Sequence, residues 1–156
     1  MVLSLAVAAI SCQKEASRSE IPLPEKTPRL LRAVFSPETK AAISDNFGSV
    51  SWNPSDSISV FDSDSGSGGN KFVTQDGGAT AVFAGQASDP AGGYYYGVYP
   101  YSNSTSFTSS TVRASLPAVQ KAVPDSFDPS AFLMVGRSKS TEEMGFYDAL
   151  GGIRFT

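Results

Sequence analysis

The sequence predicts an all-β protein, an antiparallel β-sandwich, and three observations carry that expectation. Val, Ile, Phe and Tyr recur in short runs, the β-branched and aromatic types that suit a pleated surface. Clusters of Gly, Ser, Asn, Asp and Pro separate these runs and can turn the chain between strands. Ile58 and Val60 alternate with Ser57 and Ser59, and Val112, Ala114 and Leu116 alternate with Thr111, Arg113 and Ser115, a period of two that turns one face of each strand to a core. No stretch has convincing helical periodicity, and many short strands at this spacing suit a sandwich.

The elements follow in order. An apolar run over residues 2–10 ends in Ala9-Ile10-Ser11-Cys12, and Cys12 is the single cysteine of the chain. Small residues closing an apolar region read as a secretory signal, here residues 1–11, and the cysteine directly behind them resembles the lipobox of bacterial lipoproteins. That resemblance implies a lipid-anchored chain acylated on the Cys12 thiol and cut before it. The alternative is a buried N-terminal strand with a free thiol, against which stands the polar stretch over residues 13–20. No Lys or Arg precedes Cys12, so the natural start is expected upstream of Met1. Residues 12–28 mix charge and proline without periodicity and read as a flexible tether, leaving residues 29–156 as one β-domain.

Within it, strands are expected at 30–35, 48–52, 57–61, 71–74, 79–84, 94–99, 111–116, 132–136, 145–147 and 152–155. Turns are expected at Asn53-Pro54-Ser55-Asp56, at 62–70, at Asp76-Gly77-Gly78, at 89–93 and at 124–129. Tyr94-Tyr95-Tyr96-Gly97-Val98-Tyr99 carries aromatic residues on both faces, as a central strand covered twice or as one presenting tyrosines outward. Gly152-Ile153-Arg154-Phe155-Thr156 reads as a strand just opening, so the sandwich is expected to be incomplete at its C-terminus.

Composition narrows the chemistry. The chain has 156 residues, room for one ordinary domain, and a net charge of −3. Residues 13–40 hold six basic and four acidic side chains against six and eleven over 41–156, so the body has no electrostatic footprint for nucleic acid. Beyond the signal no apolar run approaches the roughly 18 residues of a membrane span, so membrane contact is expected through lipid on Cys12 alone. The absence of histidine excludes Ser-His-Asp and Cys-His pairs and His-containing zinc sites, and a lone cysteine excludes thiolate clusters. No catalytic residue, cofactor or metal site is expected.

Three weaker patterns remain. Asp62-Ser63-Asp64-Ser65-Gly66 begins like a calcium loop, but Ser67 and Val73 stand where that loop needs Gly and Glu, which favours a hairpin turn. Asp125, Asp128, Glu142, Glu143 and Asp148 could furnish a glycosidase carboxylate pair, although each lies beside turn residues. Trp52, Tyr94, Tyr95, Tyr96, Tyr99 and Tyr101 could form a platform for sugar rings or could simply fill the core.

An ordered set of motifs carries a family resemblance. Trp52-Asn53-Pro54-Ser55-Asp56 leading into Ser57-Ile58-Ser59-Val60-Phe61 is followed by Ala81-Val82-Phe83-Ala84-Gly85 and Tyr95-Tyr96-Gly97-Val98-Tyr99-Pro100-Tyr101. Then come Ser115-Leu116-Pro117-Ala118-Val119-Gln120, Met134-Val135-Gly136 and Leu150-Gly151-Gly152-Ile153-Arg154-Phe155. In this order they resemble the N-terminal domain of fimbrillin (Mfa-like) surface lipoproteins, from Cys12 to Thr156, without the second β-domain usual in that family. The resemblance implies a transthyretin-like sandwich, lipid-anchored in the outer membrane at the cell surface of a Gram-negative anaerobe, with other fimbrial subunits as partners by strand addition. Glu15 soon after Cys12 is similar to a surface-export signal, and Lys14 departs from it.

In polymerising fimbrillins a trypsin-like protease cuts after an Arg of the first strand, and a neighbour's strand fills the groove. Carried over, this makes Arg32 the first candidate cleavage site and Arg29 the second, with an ordinary solvent-facing arginine as the alternative reading of each. The expected function is therefore a non-enzymatic structural or adhesin subunit of fimbriae. A glycan-binding surface lipoprotein, contacting glycans or host surface proteins, is the alternative.

Overall fold

The computed structural model describes residues 24–36, 50–62, 65–108, 111–121 and 128–150. Nine strands lie in these segments: β1 (Thr27–Phe35), β2 (Ser57–Phe61), β3 (Asn70–Thr74), β4 (Thr80–Ala87), β5 (Tyr95–Tyr99), β6 (Ser106–Thr108), β7 (Thr111–Arg113), β8 (Met134–Ser138) and β9 (Met144–Asp148). Helix is confined there to the 3₁₀ turns Ala91–Gly93 and Pro129–Ala131. The chain is thus all-β.

Seven strands form one sheet in the order β1-β4-β3-β2-β5-β8-β9, and this sheet closes on itself as a barrel. Six of its pairings are antiparallel. The seventh is parallel, with Ala33, Val34 and Phe35 of β1 against Met144, Gly145 and Phe146 of β9. The strands β6 and β7 form a separate two-stranded sheet.

Alternation decides the interior. Leu31 and Ala33 of β1, Ile58 and Val60 of β2, Phe72 of β3, Ala81 and Phe83 of β4, Tyr95 and Tyr99 of β5, Met134 of β8, and Met144 and Phe146 of β9 are all buried in one core. Burying one such aliphatic or aromatic side chain contributes roughly 1.5–3 kcal/mol, so the barrel rests on this inward row. Small residues make room for large ones. A Cβ at Gly97 would stand 2.6 Å from both Met144 Sδ and Phe146 Cζ, and one at Gly136 would stand 2.9 Å from Met144 Cγ. Bulk on β9 is thereby matched by vacancy on β5 and β8.

Trp52 plugs the core. Its ring stacks on Phe35 at 4.7 Å and meets Phe83, Tyr99 and Phe146 edge-on at 5.0, 5.4 and 5.4 Å. Paired backbone bonds hold it, Trp52 N–H to Gly78 O at 2.8 Å and Gly78 N–H to Trp52 O at 2.9 Å.

A polar brace built on Asp62 ties β2, β3 and β4 together. Its Oδ2 accepts from Asn70 Nδ2 at 2.8 Å and from Ser88 N–H at 2.6 Å, while its Oδ1 accepts from Ser65 Oγ at 2.6 Å. Ser88 extends the network by donating its hydroxyl to Pro24 O and accepting at its carbonyl from Tyr95 Oη. A buried carboxylate is tolerated here because charged hydrogen bonds replace its water.

Several boundaries differ from those expected. The strand at 57–61 stands as β2, whereas the one expected at 48–52 is reduced, within Val50–Trp52, to the single bridge between Trp52 and Gly78. Residues 48–49 and the strand expected at 152–155 lie outside the described residues. The strand at 111–116 stops at Arg113, and β6 was not anticipated, since Phe107 alone among Ser106-Phe107-Thr108 carries an apolar signal. The tyrosine-rich run forms β5, central between β2 and β8, with Tyr95 and Tyr99 inward and Tyr96 half-covered outside by Phe107 at 4.4 Å.

Candidate functional site

Cys12 lies outside the described residues, as does Asp125. Arg29 and Arg32 both lie on β1, at register positions opposite Gly85 and Val82 of β4. Each cation has an acid partner. Arg29 Nη2 donates to Asp89 Oδ1 at 2.6 Å, and Arg32 Nη1 donates to Glu143 Oε2 at 2.9 Å. The Arg32 head is about half exposed, a position where an ion pair adds at most about 1 kcal/mol. The strand beneath it is held much harder. Leu31 and Ala33, on either side of Arg32, are fully buried, and β1 pairs with β4 from Thr27 to Val34. A protease that takes its substrate as an extended strand therefore has to lift this strand from the sheet before cutting after Arg32.

Of the carboxylates proposed for hydrolysis, Asp128 and Asp148 serve local turns. Glu143 pairs with Arg32. Asp128 Oδ1 accepts from the backbone and the hydroxyl of Ser130, and its Oδ2 accepts from Lys121 N–H. These bonds, that from the Ser130 hydroxyl first, hold its carboxyl below the usual value. Asp148 accepts from Leu150 N–H at 2.9 Å, and exposed Glu142 donates its own N–H to Ser140 Oγ. Among the described residues no three His, Cys, Asp or Glu side chains are grouped to hold a metal. Asp62, first residue of the calcium-like stretch, directs its oxygens to Ser65, Asn70 and Ser88, and Asp64 lies outside the described residues.

The aromatic set divides between inside and outside. Trp52, Tyr95 and Tyr99 belong to the core. Burial, followed by the charge and hydrogen bond of Asp56, pushes the Tyr99 phenol up to about 12, and its hydroxyl donates to Asp56 Oδ1 at 3.3 Å. Burial also raises the Tyr95 phenol. The half-buried Tyr94, Tyr96 and Tyr101 stay outside: Tyr101 lies under Lys71 Nζ at 5.1 Å, and Tyr94 lies under the Arg137 guanidinium at 4.6 Å and Lys139 Nζ at 5.6 Å.

Beside this outer row is an open trough of about 410 Å³, lined by Tyr96, Val112, Val135, Arg137 and Tyr147 over the backbone of Gly97 and Gly136. Strand pairing assembles it. Tyr96 is the register partner of Arg137, and Val135 that of Tyr147, so aromatic and cationic side chains from β5, β8 and β9 meet on one face. The small sheet supplies Val112 as a wall, anchored by Phe107 packed on Tyr96 and Phe61. Arg137 escapes the sequence reading because the strand expected at 132–136 ends two residues before β8 does, and Tyr147 because it lies in the expected strand 145–147, apart from the tyrosine-rich run. Continuing its alternation from Val135 would have set Arg137 on the outer face.

The sequence matches no protein-family model, no curated protein and no solved structure.

Proposed function

We propose that this chain is a non-enzymatic surface lipoprotein of the fimbrillin type, anchored in the outer membrane through lipid on Cys12 and acting as a structural or adhesin subunit of fimbriae. The observation that supports this reading is the architecture of β1. It is the first described strand, it inserts Leu31 and Ala33 into the core, and between them it carries an arginine accessible at its head group. Loss of residues 27–32 would bare the pairing edge of β4 from Val82 to Ala87 and the pocket of Leu31, a groove that a neighbour's strand with alternating apolar residues would complete. The finer fold, a transthyretin-like sandwich, belongs to this proposal. The β3–β4 register spans two residue pairs, the fewest in the barrel, and β1–β9 is its one parallel pairing; reading those two junctions as seams divides the barrel into two layers.

The test compares residues 13–156 with and without Leu30–Phe35 under limited trypsin, following cleavage by mass spectrometry and particle size by light scattering. Cleavage after Arg32, or secondarily Arg29, followed by growth is the expected result. A protease-resistant monomer under conditions where β1 opens would refute assembly by strand exchange. The trough on the outer face favours the second reading, a glycan-binding surface lipoprotein, because its tyrosines and arginine are the side-chain types that grip sugar rings and their acidic substituents.

A further inference from the structure

We infer that the trough between the small sheet and the outer face of β5, β8 and β9 is a subsite for a carboxylate-bearing sugar unit, with Arg137 as its anion-binding residue. The inference rests on the glycan-binding reading and names the substrate class for it.

Charge carries the first part of the argument. Among the described residues Arg29 and Arg32 are paired with acids, whereas Arg137 has no carboxylate partner. The Tyr94 ring instead supports it from one side, leaving the guanidinium edge and its donors for a ligand. Lys139, two residues on, rests on the same ring. Two unneutralised cations side by side on a chain of net charge −3 make a local positive spot that attracts an anion. A planar guanidinium held over an aromatic ring is suited to bidentate pairing with a carboxylate.

Shape carries the second part. The trough, at about 410 Å³, falls toward the lower end of the roughly 300–1,000 Å³ that small-ligand sites occupy, and it is open to solvent, as suits one unit of a longer chain. Tyr147 is 41% exposed and borders it beside Val135, so a pyranose can lay its apolar CH face there while its hydroxyls keep water. An aromatic and aliphatic floor with one cation at its rim selects for a ring bearing a single acid, and neutral sugars lack the group that Arg137 would hold.

The experiment titrates the full chain with glucuronic acid, its methyl ester and glucose, reading backbone amide shifts by NMR. Glucuronic acid should move amides of β5, β8 and β9, and the ester and glucose should bind at least about tenfold more weakly, as expected for loss of a charged hydrogen bond. Arg137→Gln should remove the preference for the acid while retaining the dispersed spectrum of the fold, because its side chain is exposed. Tyr147→Ala should weaken all three ligands together. Equal binding of acid and glucose, or an undiminished acid preference in Arg137→Gln, would overturn the inference and leave the glycan reading standing. Absence of shifts with every sugar would overturn both.

Discussion

Replacing Gly85 by alanine tests whether the barrel interior is filled by matched volumes. Gly85 lies on β4 opposite Arg29 of β1, and its inward side is covered by the ring of the fully buried Phe72 on β3. A Cβ added there would stand 2.5 Å from Phe72 Cγ and 2.7 Å from Cε2, distances at which the ring has to move. Overpacking of this kind costs about 1–3 kcal/mol. Removing a glycine from a strand returns about 0.5–1 kcal/mol through the unfolded state, so the net loss should centre on about 1–1.5 kcal/mol. In urea melts, with a slope of about 1–3 kcal/mol per molar, the midpoint should fall by roughly 0.5–1.5 M at unchanged slope. Phe72→Leu in the same chain should cost less than the two single changes summed, by at least about 0.5 kcal/mol, because the flatter clash is relieved. Gly145→Ala is the internal contrast: its Cβ meets Ser36 at 3.7 Å, an ordinary contact, so the variant should be at least as stable as the parent, by up to about 1 kcal/mol. A Gly85→Ala protein as stable as the parent would refute the packing of Phe72 against β4.

Two further outcomes are expected. Asp62→Ala should destabilise by about 3 kcal/mol, since Ser88 N–H and Asn70 Nδ2 lose their acceptor at a buried position, and Asp62→Asn should fall between; thermal melts would expose the error if the alanine variant lost less than about 1 kcal/mol. Tyr99 holds its proton more tightly folded than unfolded, so its contribution is fully present below pH 10 and is lost as pH rises through about 12. Absorbance titration should find Tyr99 deprotonating late, and Tyr99→Phe should flatten the alkaline fall in stability; six tyrosines titrating together near pH 10 would contradict its burial.

What could be read locally was read from period and punctuation. Ser57-Ile58-Ser59-Val60-Phe61 announces β2 because its alternation is complete within five residues, and Asp76-Gly77-Gly78 announces the turn before β4 because glycine there admits backbone angles others resist. Single-residue signals failed. Trp52 reads as the end of a strand, with a sugar platform and the core both open to it, and it is the centre of the core, held by one bridge. Phe107 looked like loop, and it anchors the small sheet against Tyr96 and Phe61. The hairpin turn read at Asp62 does join β2 to β3, but sequence cannot reveal that Asn70 and Ser88 converge on its carboxylate.

The all-β class, most strand positions and the apolar face of the strand at 57–61 are legible in the chain, because alternation and turn chemistry are settled among residues a few positions apart. Tertiary structure alone decided that β1 closes the ring by lying parallel to β9, that Arg32 meets Glu143, and that Tyr96, Arg137 and Tyr147 share a trough. Those outcomes depend on register and on volume across the barrel, where Gly85 yields to Phe72 and Gly97 to Phe146, and such matches join residues on different strands that no local pattern connects.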